Sequence, residues 1–223
     1  MALPRPAKAV VFDMDGLLID SEVVYCRALT ATAAEMGADL PQDVVKRMIG
    51  HTWPGSVAVL RSHFGDTLDT DALRTRSVEM FYDIAHAGLA LKAGVREILD
   101  CLEAQGLPRA VVTSSRRQEA EHHLGQHGLL DRFQFILANG EYPAPKPDPA
   151  PYVRAAQQLG LDPAYVLALE DSHNGVRAAA GAGMMTIMVP DLLDATDEMH
   201  ALCVRIAANL HEVRELLELQ TPS

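Results

Sequence analysis

Cysteine is scarce in this chain. Cys26, Cys101 and Cys203 lie far apart among 223 residues and none belongs to a CxxC pair, which excludes a disulfide framework and casts the three as small buried apolar residues of a reducing compartment. Basic residues are also few. Nineteen Lys and Arg against thirty Asp and Glu leave a formal net charge of −11. Clustered cations for a nucleic-acid backbone are therefore missing, although a single phosphate can still be met locally. No window is apolar for about 18 residues, and the opening Met-Ala-Leu-Pro-Arg-Pro carries no hydrophobic signal segment, so no membrane partner and a cytoplasmic location are expected. Internal repeats are absent. Among His122, His123 and His127 the i and i+4 histidines share a helical face, but no HExxH glutamate accompanies them, and they are expected to lie on a surface helix.

What is present is 48% hydrophobic residues, enough to bury a sizeable core in one domain with an insertion. The most informative stretch is Lys8-Ala-Val-Val-Phe-Asp-Met-Asp-Gly16, an apolar strand ending in two aspartates one residue apart. Alternation points Asp13 and Asp15 to one side, and Gly16 lets the backbone turn without a Cβ clash. Two carboxylates so close resist full ionisation, so one retains a proton near neutral pH while a cation partly neutralises the other. The pair therefore reads as a nucleophile and an acid/base.

The rest of the chain changes character at Gly94. Before it, helical patterns cover Ser21 to Met36, Gln42 to Ile49, Gly55 to Phe64 and Thr70 to His86, with no β pattern between Ser21 and Gly88. After it, helices alternate with short apolar strands at Arg109–Thr113, Phe133–Leu137, Val166–Leu169, Met184–Val189 and Cys203–Ile206. Ser115 with Gln118 suggests a capping box between the first two of these strands. The pattern predicts an α/β fold, a doubly wound, Rossmann-like parallel sheet over 1–17 and 88–223, with an all-helical insertion over 18–87. In such sheets ligands lie outside the carboxyl ends of the strands. Asp13 with Asp15, Thr113 with Ser114, and Glu170 with Asp171 all fall there.

Four motifs in order resemble the haloacid dehalogenase-like hydrolase superfamily: Phe12-Asp-Met-Asp-Gly-Leu-Leu-Ile-Asp-Ser21, Val111-Val-Thr-Ser-Ser115, Lys146 within Pro145-Lys-Pro-Asp-Pro149, and Leu169-Glu-Asp-Ser-His-Asn-Gly175. Each alone has an ordinary reading as a turn, a solvated lysine or a helix cap. Together they span nearly the whole chain. The resemblance implies Asp13 as nucleophile, forming an aspartyl-phosphate, and Asp15 as the acid that protonates the leaving oxygen and then activates water. It implies Mg²⁺ held by Asp13, the carbonyl of Asp15 and Asp171, with Lys146 adding charge. Thr113 and Ser114 would hold phosphate oxygens, and Glu170 would touch the metal through water or orient Lys146.

The insertion resembles the helical cap of the β-phosphoglucomutase branch, where a cap excludes water and reads the leaving group. Tyr25, Arg47, His51 and Trp53 are the candidates here. Dehalogenases lack the second aspartate, so Asp15 favours a phosphoryl substrate. Sugar-phosphate mutases carry a histidine and an arginine where Tyr25 and Trp53 fall. Hydrolysis of a small phosphorylated sugar or similar metabolite is thus the leading expectation, by a monomer or weak homodimer. The alternatives are a phosphomutase and a non-catalytic metal-dependent binding protein.

Overall fold

A computed structural model describes residues 3–49 and 53–219. The chain divides into two compact units, Met1–Ile19 with Leu91–Ser223, and Asp20–Ala90.

In chain order the elements are β1 (Ala9–Phe12), α1 (Ser21–Glu35), α2 (Gln42–Met48), α3 (Trp53–Phe64), α4 (Thr70–Ala87), α5 (Val95–Ala104), β2 (Arg109–Val112) and α6 (Arg117–Gln126). They continue with β3 (Phe135–Leu137), α7 (Ala150–Leu159), β4 (Val166–Glu170), α8 (His173–Gly181), β5 (Met185–Met188), α9 (Asp197–Leu202), β6 (Arg205–Ile206) and α10 (Leu210–Glu218). The strands form one sheet in the order β3-β2-β1-β4-β5-β6, and every pairing is parallel. This is the expected doubly wound α/β fold, with its topological switch between β1 and β4. Strands β1, β4 and β5 are buried at every position, as a parallel sheet covered on both faces requires. Helices α7 and α8 cover the face carrying Val11, Val112 and Ala168, through Tyr152, Ala155 and Ala178.

Register fixes the site before any side chain is considered. Phe12 pairs with both Val111 and Leu169, so the next residues along, Asp13, Val112 and Glu170, sit on one rung at the sheet's carboxyl edge. The N–H of Asp13 bonds Leu169 O at 2.9 Å, and that of Thr113 bonds Leu137 O at 2.9 Å. Beyond Asp13 the chain turns at Gly16, whose φ of +81° lies in the left-handed region.

The helical unit has its own core, in which Leu29 and Ala33 pack with Val44, Leu60 and Leu73. Its longest helix, α4, starts where the Asp69 carboxylate accepts from Asp71 N at 3.1 Å and Ala72 N at 2.9 Å. No described helix is long and apolar enough to cross a membrane.

Several expectations are corrected. Trp53 already lies in helix α3, ahead of the Gly55 start expected from the sequence, and so does not sit in a turn. Strand β3 begins at Phe135, because Phe133 leaves a 3₁₀ turn and packs edge-on against Phe12 with centroids 5.9 Å apart. The strand expected over Cys203–Ile206 is present but shorter, as β6, and helix α9 ahead of it is an unexpected element; Thr196 Oγ1 caps α9, which buries only Met199 and so shows no apolar period. The cysteines are half-buried and unpaired with one another. His123 is buried while His122 is exposed.

Candidate active site

Lys146 organises the carboxyl edge. Its side chain is 6% exposed, and Nζ donates to Asp13 Oδ1 at 2.5 Å, Glu170 Oε1 at 2.6 Å and Val112 O at 3.1 Å. An ammonium has three donors, and all three are used. Glu170 is held in turn. Tyr152 donates its hydroxyl to the same Oε1 and lays its ring 5.2 Å from Nζ, while Ser172 Oγ donates to Oε2 at 3.2 Å. Helix α8 can close on this carboxylate only because residue 175 is glycine: a Cβ there would stand 1.9 to 2.0 Å from the Glu170 carboxyl atoms. Glu170 thus bonds Lys146 directly, and its carboxylate also belongs to the acidic group that could hold a metal ion.

Asp15 faces other partners. Its Oδ2 accepts from Ser115 Oγ at 2.7 Å and Thr113 Oγ1 at 3.3 Å, and Thr113 Oγ1 accepts from Ser115 N at 2.9 Å. The Ser115 hydroxyl therefore serves Asp15 instead of capping α6. The cap is supplied one residue later, where the Glu119 carboxylate accepts from Arg116 N at 3.1 Å. Ser114 is exposed beside this cluster, and Tyr142 steadies the turn by donating to Thr113 O at 3.0 Å.

The Asp13 carboxyl is displaced from its ordinary range. Burial pushes its carboxyl from an ordinary 3.8 to about 8, against the lowering effect of Lys146 and with help from Glu170 and Asp15. Lys146 stays charged: burial opposes the ammonium, but Asp13 and Glu170 together raise its pKa well above the usual value. The protein without metal thus carries a buried ammonium facing two carboxyls, and Asp13 takes up a proton to balance them. A carboxyl whose folded pKa is raised binds more protons folded than unfolded, so its stabilisation is complete below about 3.8 and is lost as pH rises through about 8. Urea midpoints of EDTA-treated protein are expected to fall between pH 5 and 8.5, and those of Asp13→Asn, which mimics the protonated acid, to fall much less. Parallel profiles for the two proteins would contradict this account.

Asp13, Glu170 and Asp171 offer oxygens within 4.8 Å of one another, all buried. The donor set contains only oxygen and suits a hard cation of the Mg²⁺ type over zinc. The Gly16 turn lets Asp171 approach the backbone closely: a Cβ on Gly16 would stand 2.2 Å from Asp171 Oδ2. A side chain there would push Asp171 away. Lys146 takes one oxygen of Asp13 and one of Glu170, so the acidic group keeps further oxygens for a cation; the backbone carbonyl of Asp15 is the additional ligand that the family resemblance implies.

The remaining candidates lie in the helical unit. Tyr25, on α1, is half-buried and packs edge-on against Phe81 with centroids 5.9 Å apart. Burial raises its pKa. Trp53 carries the Arg74 guanidinium 5.5 Å over its ring, and its indole N–H is buried without an acceptor among the described residues. Arg47 is exposed in the last turn of α2. His51 lies outside the described residues. Sequence reasoning missed Ser115, Tyr142, Tyr152, Ser172, Gly175 and Arg74. Tyr152 reads as one more apolar position of a periodic helix, and only its hydroxyl could have hinted at a partner.

A profile of the haloacid dehalogenase-like hydrolase family matches residues 10–189. The chain is 32% identical to hexitol phosphatase B of Escherichia coli (strain K12), covering 85% of this chain and 86% of that protein. It is 31% identical to a phosphoglycolate phosphatase of Nitrosospira multiformis, covering 98% and 99%. Among solved structures, CbbY of Rhodobacter sphaeroides in complex with phosphate superposes with a TM-score of 0.71 at 26% identity, over 93% of this chain and 96% of that one.

Proposed function

This chain belongs to the haloacid dehalogenase-like hydrolase family and is a phosphoric monoester hydrolase; from that premise we propose that it dephosphorylates a small phosphorylated sugar or polyol with Mg²⁺, through an aspartyl-phosphate on Asp13. The observation that carries the proposal is the caging of Asp13 by Lys146 beside Asp171, with Asp15 held on separate hydroxyls.

Asp13 attacks phosphorus through a carboxylate oxygen and becomes the acyl phosphate, splitting the hydrolysis into two steps. An anion approaching an anionic phosphate needs positive charge, which Lys146 supplies at the nucleophile itself. Mg²⁺ bound by Asp13, Asp171 and the Asp15 carbonyl would add Lewis-acid charge at the phosphate oxygens. Thr113 has one hydroxyl proton, and Asp15 accepts it. A phosphate oxygen that accepts the Thr113 hydrogen bond in its place releases Asp15 from Thr113 and leaves it on Ser115 alone. Asp15 in its protonated form is then placed to give that proton to the leaving oxygen, and the carboxylate so formed takes a proton from the water that attacks the acyl phosphate in the second step.

The unit Asp20–Ala90 is proposed as the cap that reads the leaving group, with Tyr25, Arg47, His51 and Trp53 as its reading residues. A sugar or polyol is preferred because hexitol phosphatase B is among the relatives and because aromatic rings suit the apolar faces of such substrates. The mutase reading gains one observation, since Arg74 over Trp53 supplies the kind of cation that gripping a second phosphate demands. One assay separates them. Hexitol, hexose, pentose and glycolate phosphates are each incubated with Mg²⁺ or with EDTA, and released phosphate is measured. Phosphate release from a sugar or polyol ester that chelation stops is the expected result. Conversion of a sugar 1-phosphate to its 6-phosphate with little release would promote the mutase, and full activity in EDTA would remove the metal.

A further inference from the structure

One buried charge lies outside this scheme. Asp191 follows β5, and its segment is tied to the end of β4 by Val189 N bonding Glu170 O at 2.7 Å. Lys92 arrives from the other side, its N–H on Leu18 O at 3.0 Å, just past the Gly16 turn. The two meet in an ion pair, Lys92 Nζ to Asp191 Oδ1 at 2.5 Å, with the Asp191 side chain only 8% exposed. The second oxygen, Asp191 Oδ2, is buried and has no hydrogen-bond partner among the described residues.

Its direction is informative. A Cβ built on Gly16 would lie 3.4 Å from Asp191 Oδ2 and 2.2 Å from Asp171 Oδ2. Two carboxylate oxygens thus converge on the same bare stretch of backbone, and no described group donates to the one on Asp191. A buried acceptor without a donor is costly, and a like-charged neighbour makes it costlier. Asp191 is not among the residues whose oxygens gather within 4.8 Å as a direct ligand set. What would satisfy it is a hydrogen-bond donor brought in with the cation. Mg²⁺ keeps several of its waters when bound by one or two carboxylates, and such waters are strong donors to outer acceptors.

We propose that Asp191 is an outer positioning residue of the cation site, accepting a hydrogen bond through Oδ2 from a water carried by the metal on Asp171, while Lys92 occupies its other oxygen and offsets part of its charge. This rests on the Mg²⁺ reading given above. The same ion pair read as purely structural makes a different prediction, because then Lys92 and Asp191 would matter equally and neither would touch metal affinity.

The test is calorimetric titration of Mg²⁺ into the full-length protein, with thermal midpoints recorded without metal. Asp191→Ala is expected to weaken Mg²⁺ binding about tenfold, in the range typical of lost outer-shell partners. Asp191→Asn, which keeps the shape and removes the charge, shifts affinity in the same direction and guards against misfolding of the alanine variant. Lys92→Met breaks the ion pair but keeps the acceptor, and is expected to bind Mg²⁺ at least as tightly as the unaltered protein. Unchanged affinity in both Asp191 variants, or equal weakening by Lys92→Met, overturns the inference and leaves the metal reading standing. Failure of the unaltered protein to bind Mg²⁺ overturns the metal reading itself, and this inference with it.

Discussion

Asp13→Asn is expected to lower phosphate release by about 10⁴-fold or more while the protein remains folded. The amide keeps the shape of the carboxylate, and its Oδ1 can still accept from Lys146, which in the native protein approaches to 2.5 Å. What disappears is the negative oxygen that bonds to phosphorus. A neighbouring group cannot take over, because Asp15 is engaged by Ser115 and Thr113 and Glu170 by Lys146 and Tyr152. The substitution also removes a carboxyl that burial drives up to about 8, so the variant is expected to be no less stable than the native protein at pH 8. Turnover and urea midpoints measured on the same preparations check both halves. Near-normal turnover would remove Asp13 as nucleophile. Lost turnover with a large loss of stability would mean that the aspartate is structural.

The sequence discloses those parts of this site that depend on strand ends. Asp13 and Thr113 follow apolar runs directly and Asp171 follows one residue later, and a parallel sheet brings such positions to one edge whatever the details of packing. Lys146 is legible for another reason: it resembles a motif, although nothing local says that its ammonium will be buried. The contacts that set the site's chemistry are not legible, because they join segments far apart in the chain. Ser115 shows a capping pattern with Gln118, yet its hydroxyl bonds Asp15, 100 residues away. Tyr152 lies on a buried helix face beside Ala155 and Ala156, and periodicity cannot tell a packing ring from one whose hydroxyl holds a glutamate. Asp191 follows a proline in an irregular stretch and looks like any loop aspartate. Short elements fail similarly: α9 buries one residue fully and β6 spans two, too few positions for a period to register.

Lys146→Met is expected to cost turnover about 10²- to 10³-fold, the usual loss when one preorganised charge at a reacting centre is removed, and to destabilise the fold in a way that depends on pH. Methionine fills much of the space but leaves Asp13 and Glu170 facing each other without the ammonium that bonds both. Removing one partner of a buried ion pair costs about 3–5 kcal/mol, because the other is left uncompensated. Proton uptake relieves part of that cost, so the penalty is expected to be smaller at pH 5.5 than at pH 8.5. The sign follows from both groups. The pKa of Lys146 is raised, so its own contribution in the native protein is present throughout this range and would be lost only above its ordinary value of 10.5. Asp13 is the group that titrates, and without Lys146 it loses the main influence lowering its pKa. Lys146→Arg is not expected to rescue the enzyme. Its planar fork cannot direct donors to Asp13, Glu170 and Val112 O from the single point that Nζ occupies. Urea titrations at the two pH values, with kcat from the same samples, measure each part. An equal stability loss at both would show that the two carboxyls do not carry the penalty, and turnover within a few-fold of native would take Lys146 out of the chemistry.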